Sequence, residues 1–228
     1  MRRVIFLLIS FVLITCSPVK KYRDLPEVMS WDNDIRKFEQ LDKIEKYPGD
    51  AILFAGSSSI RLWTNPEKDM EPYHIIQRGY GGAKLSDFAV YAGRILDPHP
   101  CGAIVLFVAN DITGTEEDKT PQEVSSLFRN ILKTIRAEHP VTPVFWIEIT
   151  PTESRWKVWP RIQESNALIK NVCEKNKNTY FISTSYAFLN ERGLPKEELF
   201  RDDKLHLSDR GYAVWTEIIR KELDKILK

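Results

Sequence analysis

The sequence is poor in the residues that mark several large classes of protein. Among its 228 residues are only 3 cysteines and 4 histidines, and no two cysteines have the Cys-x-x-Cys spacing of zinc and redox motifs. Its 33 basic side chains almost balance 32 acidic ones, so no net positive field favours nucleic acid as a partner. With 43% hydrophobic and 29% charged residues, the composition is typical of a soluble globular protein. We therefore expect no metal site and no nucleic-acid partner, and we expect Cys101 and Cys173 to be unpaired.

The first sixteen residues differ from those that follow. Arg2 and Arg3 precede an apolar run over residues 4–14, and Cys16 stands just after it. The run is shorter than the about 20 residues of a permanent membrane span but suits an export signal. It resembles a bacterial lipoprotein signal, with residues 1–15 as signal peptide and Cys16 as the lipid anchor on the cell envelope. The alternatives are an ordinary signal peptide or an uncleaved anchor, and each of these also takes the protein out of the cytoplasm.

A tether and then a single domain are predicted after this signal. Residues 16–30 contain Pro, Lys, Arg and Asp without apolar periodicity, which is typical of a tether. Between residues 31 and 47, apolar side chains recur every three or four positions and predict an amphipathic helix. The predicted domain therefore covers residues 31–228, which is an ordinary size for one domain.

The rest of the chain alternates between short apolar runs and longer helical patterns. Strands are predicted at residues 51–55, 74–77, 103–109, 144–149 and 180–182. Helices are predicted at residues 85–96, 121–138, 161–175 and 209–227. This order predicts a three-layer α/β/α sandwich around a five-stranded parallel sheet with right-handed crossovers. In such folds, ligands bind beyond the carboxyl ends of the strands.

The first predicted strand runs into Gly56 and three serines, residues 57–59, ahead of a helical segment. Backbone N–H groups and the helix dipole at such a turn favour an anion that forms nearby, so a nucleophile would be well placed there. The alternative is that these serines only cap the helix. The segment is not the Gly-x-Ser-x-Gly elbow of α/β hydrolases, because Ile60 takes the place of the second glycine.

Glycine and polar residues also follow the next two predicted strands. Gly82 lies in a glycine-rich segment that is either a simple turn or a place where backbone approaches a ligand. Asn110 and Asp111 follow the third strand directly. They either cap a turn or reach into the crevice, where an asparagine amide can donate to an oxyanion.

Near the C-terminus, His206 follows Asp203 at the third position. At that spacing the carboxylate can fix the tautomer and orientation of the imidazole. A metal site or a surface ion pair is the alternative, although a metal would need more His or Cys neighbours than the sequence offers. The other histidines, His74, His99 and His139, are interpreted as structural.

In chain order, these blocks resemble the SGNH hydrolases, also called GDSL esterases and lipases, over the chain after the tether. The family's first block reads Gly-Asp-Ser with Ser as nucleophile, so Gly56-Ser57-Ser58 places that role on Ser58. The last block, Asp-x-x-His, matches Asp203 and His206. The resemblance implies a flavodoxin-like fold and a Ser58–His206–Asp203 triad that works without a cofactor.

The same resemblance assigns the oxyanion donors to the N–H groups of Ser58 and Gly82 and to the amide of Asn110. The family's third block usually reads Gly-x-Asn-Asp, whereas this chain has Val108-Ala109-Asn110-Asp111 without the glycine. The implied reaction is ester hydrolysis through an acyl group carried on Ser58.

The substrate is predicted by analogy only. Exported members of the family commonly deacetylate sugars, so an acetylated carbohydrate or another small or glycan ester is our first hypothesis. A lipid ester, cleaved by a lipase or lysophospholipase, is the second, and a catalytically silent carbohydrate-binding lipoprotein is the third. Four side chains are candidates for the leaving-group side, namely Trp63, Arg78, Arg155 and Trp156.

Overall fold

A five-stranded parallel sheet forms the centre of the protein in a computed structural model that describes residues 19–228. The strands are β1 (Ile52–Gly56), β2 (Ile75–Gly79), β3 (Ala103–Phe107), β4 (Val144–Ile147) and β5 (Thr179–Ile182). They lie in the order β2-β1-β3-β4-β5, and each neighbouring pair is parallel. Every residue of β1, β3 and β4 is buried, as continuous apolar runs predict for strands covered on both faces. The predicted five-stranded parallel sheet is thus confirmed.

Helices cover both faces of this sheet. They are α1 (Pro26–Met29), α2 (Asp32–Ile44), α3 (Ser58–Arg61), α4 (Pro66–Asp69), α5 (Leu85–Leu96), α6 (Pro121–Glu138), α7 (Trp159–Lys175), α8 (Ser185–Phe188) and α9 (Asp209–Leu227). Right-handed crossovers in one direction place α5, α6 and α7 side by side on one face. On the other face, Trp63, just after α3, stacks on Tyr212 of α9 and contacts Trp215 edge to face. This is the predicted three-layer sandwich in the flavodoxin-like strand order.

The predicted helix boundaries are close to the observed ones. Three helices, α5, α6 and α9, have the predicted bounds, whereas α7 begins two residues earlier, at Trp159 rather than at residue 161. The reason is Pro160, which the first turn of a helix tolerates because its missing N–H would have no partner there. Within residues 19–228, no helix combines the length and apolar composition needed to cross a bilayer.

Part of the predicted tether is packed on the domain. Val19 and Val28 are buried, α1 contacts α5, and the Tyr91 hydroxyl donates a 3.2 Å hydrogen bond to the Val28 carbonyl. The folded part therefore includes Val19 onward, and the predicted domain start at residue 31 is too late. Tyr22 and Leu25 also pack against the core, but these four apolar residues produce no periodic pattern. The predicted signal peptide and Cys16 lie outside the described residues.

Candidate active site

The turn after β1 places Ser58 at the carboxyl edge of the sheet. Gly56 has a φ of 144°, and a β-carbon there would lie 1.9 Å from the carbonyl oxygen of Phe107 in β3. Only glycine allows this close approach, after which the Ser57 N–H donates to the same carbonyl at 2.8 Å. Ser57 precedes α3 without making a side-chain capping bond. Simple helix capping therefore does not account for the serine at the N-cap of α3.

Ser58, His206 and Asp203 form a continuous hydrogen-bonded chain. The His206 Nε2 atom lies 3.0 Å from Ser58 Oγ, across 148 positions of sequence. The Nδ1 atom of the same ring lies 2.7 Å from Asp203 Oδ2. The other carboxylate oxygen, Oδ1, accepts the backbone N–H groups of Leu205 and His206, each at 2.9 Å. The arrangement is that of a Ser-His-Asp triad.

The environment of Asp203 keeps it ionised. Partial burial raises the pKa of its carboxyl, but hydrogen bonds from the His206 ring and from two backbone N–H groups outweigh burial and lower this pKa to about 2. An ionised carboxylate accepts the Nδ1 proton of His206. The lone pair of Nε2 is then directed at the Ser58 hydroxyl, which is the arrangement required of a general base.

Asn110 reaches the same site from the end of β3. Its Nδ2 group donates to the Ala83 carbonyl at 2.9 Å, and its Oδ1 atom accepts from Arg155 Nη2 at 2.6 Å. The side chain thus spans the edge of the sheet instead of capping its own turn. One N–H of the amide makes no hydrogen bond within residues 19–228, and Asn110 lines the same cavity as Ser58 and His206.

Gly82 lies in the loop next to this amide. Its φ of 78° falls in the left-handed region, and its N–H makes no hydrogen bond within residues 19–228. Ala83, the next residue, accepts the Asn110 hydrogen bond and joins the loop to the site. Ser58, Asn110 and His206 thus line one cavity at the edge of the sheet, whereas Gly82 is joined to it only through Ala83 and itself lines a separate cavity beside Trp31.

A small cavity of about 20 Å³ lies against Ser58. Its apolar wall includes Phe107, Ile149 and Leu207, and Thr150 contributes a buried hydroxyl without a hydrogen-bond partner in the described part of the chain. This volume holds little more than one water molecule. A far larger cavity of about 860 Å³ lies beside α4 and α9, but no triad residue lines it, so size alone does not mark the site.

Two of the four candidates for the leaving-group side are structural instead. Arg78 is 2% exposed and is paired with Asp42 at 2.6 Å and Glu45 at 2.8 Å, which fastens α2 to the sheet. Trp63 is also buried, and its indole N–H donates to Asp69 at 2.7 Å. Both side chains lie within the packed layers and not at the Ser58 cavity, so for these two residues packing, the alternative to a place on the leaving-group side, holds.

Arg155 and Trp156 belong to a short 3₁₀ segment, Glu153–Val158, that follows β4 and runs beside the site. Arg155 contacts Asn110, whereas Trp156 lines a groove of about 780 Å³ together with Glu153. The specific contact between Arg155 and Asn110 was not predicted. Its one available signal was the position of Arg155 shortly after a strand end.

The remaining histidines have structural surroundings. His74 is exposed and lies 2.9 Å from Glu67, His99 is buried near Asp42, and His139 contacts the Leu96 carbonyl at 3.2 Å. Cys101 and Cys173 are free thiols. Over the described range 19–228, no group of three or more His, Cys, Asp or Glu side chains is arranged to hold a metal ion.

Solved structures share this fold at low sequence identity. A protein from Streptococcus pneumonia named for platelet activating factor is 20% identical, with a TM-score of 0.74 and coverage of 88% of this chain and 94% of that one. An acylhydrolase from Bacteroides fragilis is 19% identical, with a TM-score of 0.72 and coverage of 85% and 97%. An acetyl-xylooligosaccharide esterase from Geobacillus Stearmophilus is 14% identical, with a TM-score of 0.63 and coverage of 77% and 94%. At these identities the likeness concerns the fold.

Sequence comparison identifies the family. No curated protein matches the chain. The model of the GDSL-like Lipase/Acylhydrolase family matches residues 61–214, which is more than half of the sequence. The matched region includes Asn110, Asp203 and His206, while Ser58 precedes it by three residues. The chain therefore belongs to the GDSL-like lipase/acylhydrolase family.

Proposed function

We propose that the protein is a carboxylic ester hydrolase that acts through an acyl-enzyme on Ser58 and removes a small acyl group, most simply acetyl, from a carbohydrate. The observation that carries this proposal is the chain of contacts of 3.0 Å and 2.7 Å that joins Ser58, His206 and Asp203. Such a chain activates a serine hydroxyl for attack on a carbonyl carbon.

In the first half of the reaction, His206 Nε2 takes the proton of Ser58 as Oγ bonds to the ester carbonyl carbon. The carbonyl oxygen becomes an oxyanion, which is received by the N–H groups of Ser58 and Gly82 and the free N–H of Asn110. His206 then gives its proton to the leaving alcohol oxygen, the carbon–oxygen bond breaks, and the acyl group stays on Ser58.

In the second half, a water molecule replaces the alcohol. His206 removes one proton from this water as its oxygen attacks the acyl carbon, and the same oxyanion donors act again. The bond to Ser58 Oγ breaks, Ser58 recovers its proton from His206, and the carboxylic acid leaves. Asp203 stabilises the imidazolium in both halves without taking the proton itself.

The dimensions of the site support a small acyl group. The cavity against Ser58 is about 20 Å³ and is closed on one side by Phe107, Ile149 and Leu207. A cavity that admits about one water molecule beside Ser58 suits a short acyl group, whereas a long acyl chain would require the wall to move. A lipid ester is therefore the weaker alternative.

Our candidate for the alcohol side is the groove of about 780 Å³ lined by Glu153 and Trp156, because these two residues flank Arg155, which lines the cavity at Ser58. A half-buried tryptophan offers a flat apolar face with a polar N–H, which suits the stacking of a sugar ring. The structural neighbour named as an acetyl-xylooligosaccharide esterase supports the same substrate class.

The proposal is tested with p-nitrophenyl acetate, butyrate and octanoate, followed by acetylated glycans. We expect the acetate ester to be the best of the three and expect Ser58→Ala to abolish both turnover and labelling by a serine-directed phosphonate. Ser183→Ala, at an exposed serine outside the site, is the matched control and should behave as wild type. Full activity of Ser58→Ala would refute the assignment of Ser58 as nucleophile. A preference for the octanoate ester would favour a lipase. A folded protein that is inactive on every ester would favour a binding module.

We also propose that the protein is exported and lipid-anchored through Cys16. Because Val19 is already buried in the domain, only residues 17 and 18 separate it from Cys16, so the anchor would hold the domain against the membrane surface. In a bacterial host, labelled palmitate should enter the wild type and Cys101→Ser but not Cys16→Ser. Label retained by Cys16→Ser would contradict this anchor.

A further inference from the structure

We infer that Arg155 is a positioning residue that fixes and polarises the Asn110 amide, so that this amide presents an N–H to the oxyanion. The inference deepens the proposed function and rests on it. A single guanidinium contacts both the backbone and the side chain of the segment that supplies the amide.

The contacts of Arg155 form a fork. Its Nη1 atom donates to the Ala109 carbonyl, and its Nη2 atom donates to Asn110 Oδ1 at 2.6 Å. The planar guanidinium matches two neighbouring acceptors, which a lysine ammonium cannot do with the same fixed geometry. Arg155 thus holds the backbone at Ala109, directly before Asn110 and one residue after Val108, which stands where the family usually has glycine.

These contacts decide which way the amide faces. Arginine has only donors, so the atom of Asn110 that faces Arg155 must be the oxygen. The nitrogen must then face the Ala83 carbonyl, 2.9 Å away, with one N–H used there and the other left for the cavity. Without Arg155, the amide could rotate and present its oxygen to the developing negative charge, which would be repulsive.

Arg155 also changes the strength of the amide as a donor. Within residues 19–228, no carboxylate lies within 4.0 Å of its guanidinium, so its charge is not neutralised by an ion pair. A positive charge on Oδ1 draws electron density from the amide and makes the N–H groups stronger donors. Burial lowers the pKa of Arg155, but an arginine remains charged in neutral solution.

The same segment is joined to the loop that carries His206. The Ser154 N–H donates to the Lys204 carbonyl at 3.2 Å, and Glu153 lies 2.5 Å from the Lys204 ammonium. The backbone segment that carries Arg155 is therefore fixed relative to the His206 imidazole. A small shift of this segment would change the distance between the Asn110 amide and His206.

The test is a double-mutant cycle on p-nitrophenyl acetate with Asn110→Ala, Arg155→Gln and the double variant. Asn110→Ala should lower kcat about 100-fold, as loss of one oxyanion donor does. Arg155→Gln should lower kcat about tenfold or more with KM nearly unchanged, and the double variant should be no slower than Asn110→Ala alone. The inference would be overturned if the loss of kcat in the double variant equalled the product of the two single losses. It would also be overturned if Arg155→Gln changed only KM.

A second pair of variants covers the case in which Arg155→Gln does not fold. Arg155→Lys keeps the positive charge but cannot make both hydrogen bonds of the fork, so its kcat should also be lowered. A wild-type kcat in this variant would show that the paired hydrogen bonds are not needed. Arg155→Ala should regain kcat in millimolar guanidinium chloride, because the free ion can occupy the emptied place. No regain, with the protein shown to be folded by circular dichroism, would count against it.

One readout is independent of ester turnover. In the wild type, NMR should show the two Asn110 side-chain amide protons as resolved signals in slow exchange with water. In Arg155→Gln these two protons should exchange faster with water, and their chemical shifts should become more similar. Unchanged signals would overturn the positioning role. If wild type and Ser58→Ala are equally inactive on all esters, the proposed function fails, while this spectrum still decides the role of Arg155.

Discussion

The two halves of the triad are held in place by different kinds of force. The nucleophile turn, residues 56–61, lies among buried strands, and its path is set by steric contact. The imidazole loop, residues 200–208, is largely exposed, and its path is set by short-range hydrogen bonds. We therefore expect the position of Ser58 to be disturbed by any atom added to the nucleophile turn. The position of His206 should instead be disturbed by the loss of single hydrogen bonds.

There is almost no free space around two glycines at the nucleophile turn, namely Gly56 within it and Gly79 at the end of the adjacent strand β2. A β-carbon on Gly56 would lie 1.9 Å from the Phe107 carbonyl oxygen, and one on Gly79 would lie 2.5 Å from the Arg61 backbone nitrogen. Both distances are below any tolerated contact, and the opposing atoms belong to the backbone. The strands can approach as they do only because these positions lack side chains.

The imidazole loop closes on itself instead. The Arg201 N–H donates to the His206 carbonyl at 2.8 Å, and the Lys204 N–H donates to the Arg201 carbonyl at 2.8 Å. Lys204 has a φ of 56°, a left-handed conformation that lets Asp203 and His206 face each other. Each of these bonds is individually modest, so the loop depends on their number.

The largest effect should come from Gly56→Ala, which tests the steric half of the comparison. The new methyl group would overlap the Phe107 carbonyl, and a φ of 144° is poorly accessible to alanine. We expect a loss above about 4 kcal/mol in the free energy of unfolding, measured by urea denaturation, and failure to fold in many conditions.

Gly49→Ala is the matched control, since no atom lies within 4 Å of the added carbon. It should remain within about 1 kcal/mol of wild type. Equal stability of the two variants would show that β1 and β3 can separate at this point, and that the nucleophile turn is not sterically fixed.

Asp203→Asn should have the next largest effect, chiefly on activity. An asparagine can still accept the backbone N–H groups of Leu205 and His206, but its amide would donate to Nδ1 and hold the imidazole in the wrong tautomer. We expect kcat to fall about 10⁴-fold with little change in the thermal unfolding midpoint. The measurement is steady-state hydrolysis of p-nitrophenyl acetate.

The neighbouring Asp202→Asn provides the control for this change. Asp202 is exposed and makes no hydrogen bond within residues 19–228, so the variant should retain wild-type kcat. If Asp203→Asn also retains wild-type kcat, Asp203 does not orient His206, and the position of the imidazole does not depend on this hydrogen bond.

The contrast also explains which features could be predicted from the sequence. The strands and long helices follow from periodicity, and Ser58, Asn110 and His206 stand at strand ends or in short motifs of recognisable spacing. The sheet rule then places them at one edge before any contact is known. Local patterns thus contain most of the fold, whereas the assignment of Ser58, Asp203 and His206 to one triad came from the family resemblance of the blocks taken together.

What the sequence did not predict depends on long-range packing. Arg78 and Arg155 are both arginines close to strand ends, yet one is buried against Asp42 and the other contacts Asn110. Only the final arrangement of α2 and of the segment after β4 separates them. The docking of Val19 and Val28 is missed for the same reason, because isolated apolar residues show no period.

The smallest effect concerns the dependence of stability on pH. Hydrogen bonds lower the folded-state pKa of Asp203 to about 2, below the about 3.9 of an unfolded chain, so the ionised carboxylate stabilises the fold above that pH. This contribution should disappear as the pH falls from about 4 towards 2. Because the side chain is 48% exposed, we expect less than about 1 kcal/mol. Urea denaturation should therefore show the stability gap between wild type and Asp203→Asn closing as the pH falls. A gap that stays constant with pH would mean that the exposed loop does not depend on this carboxylate.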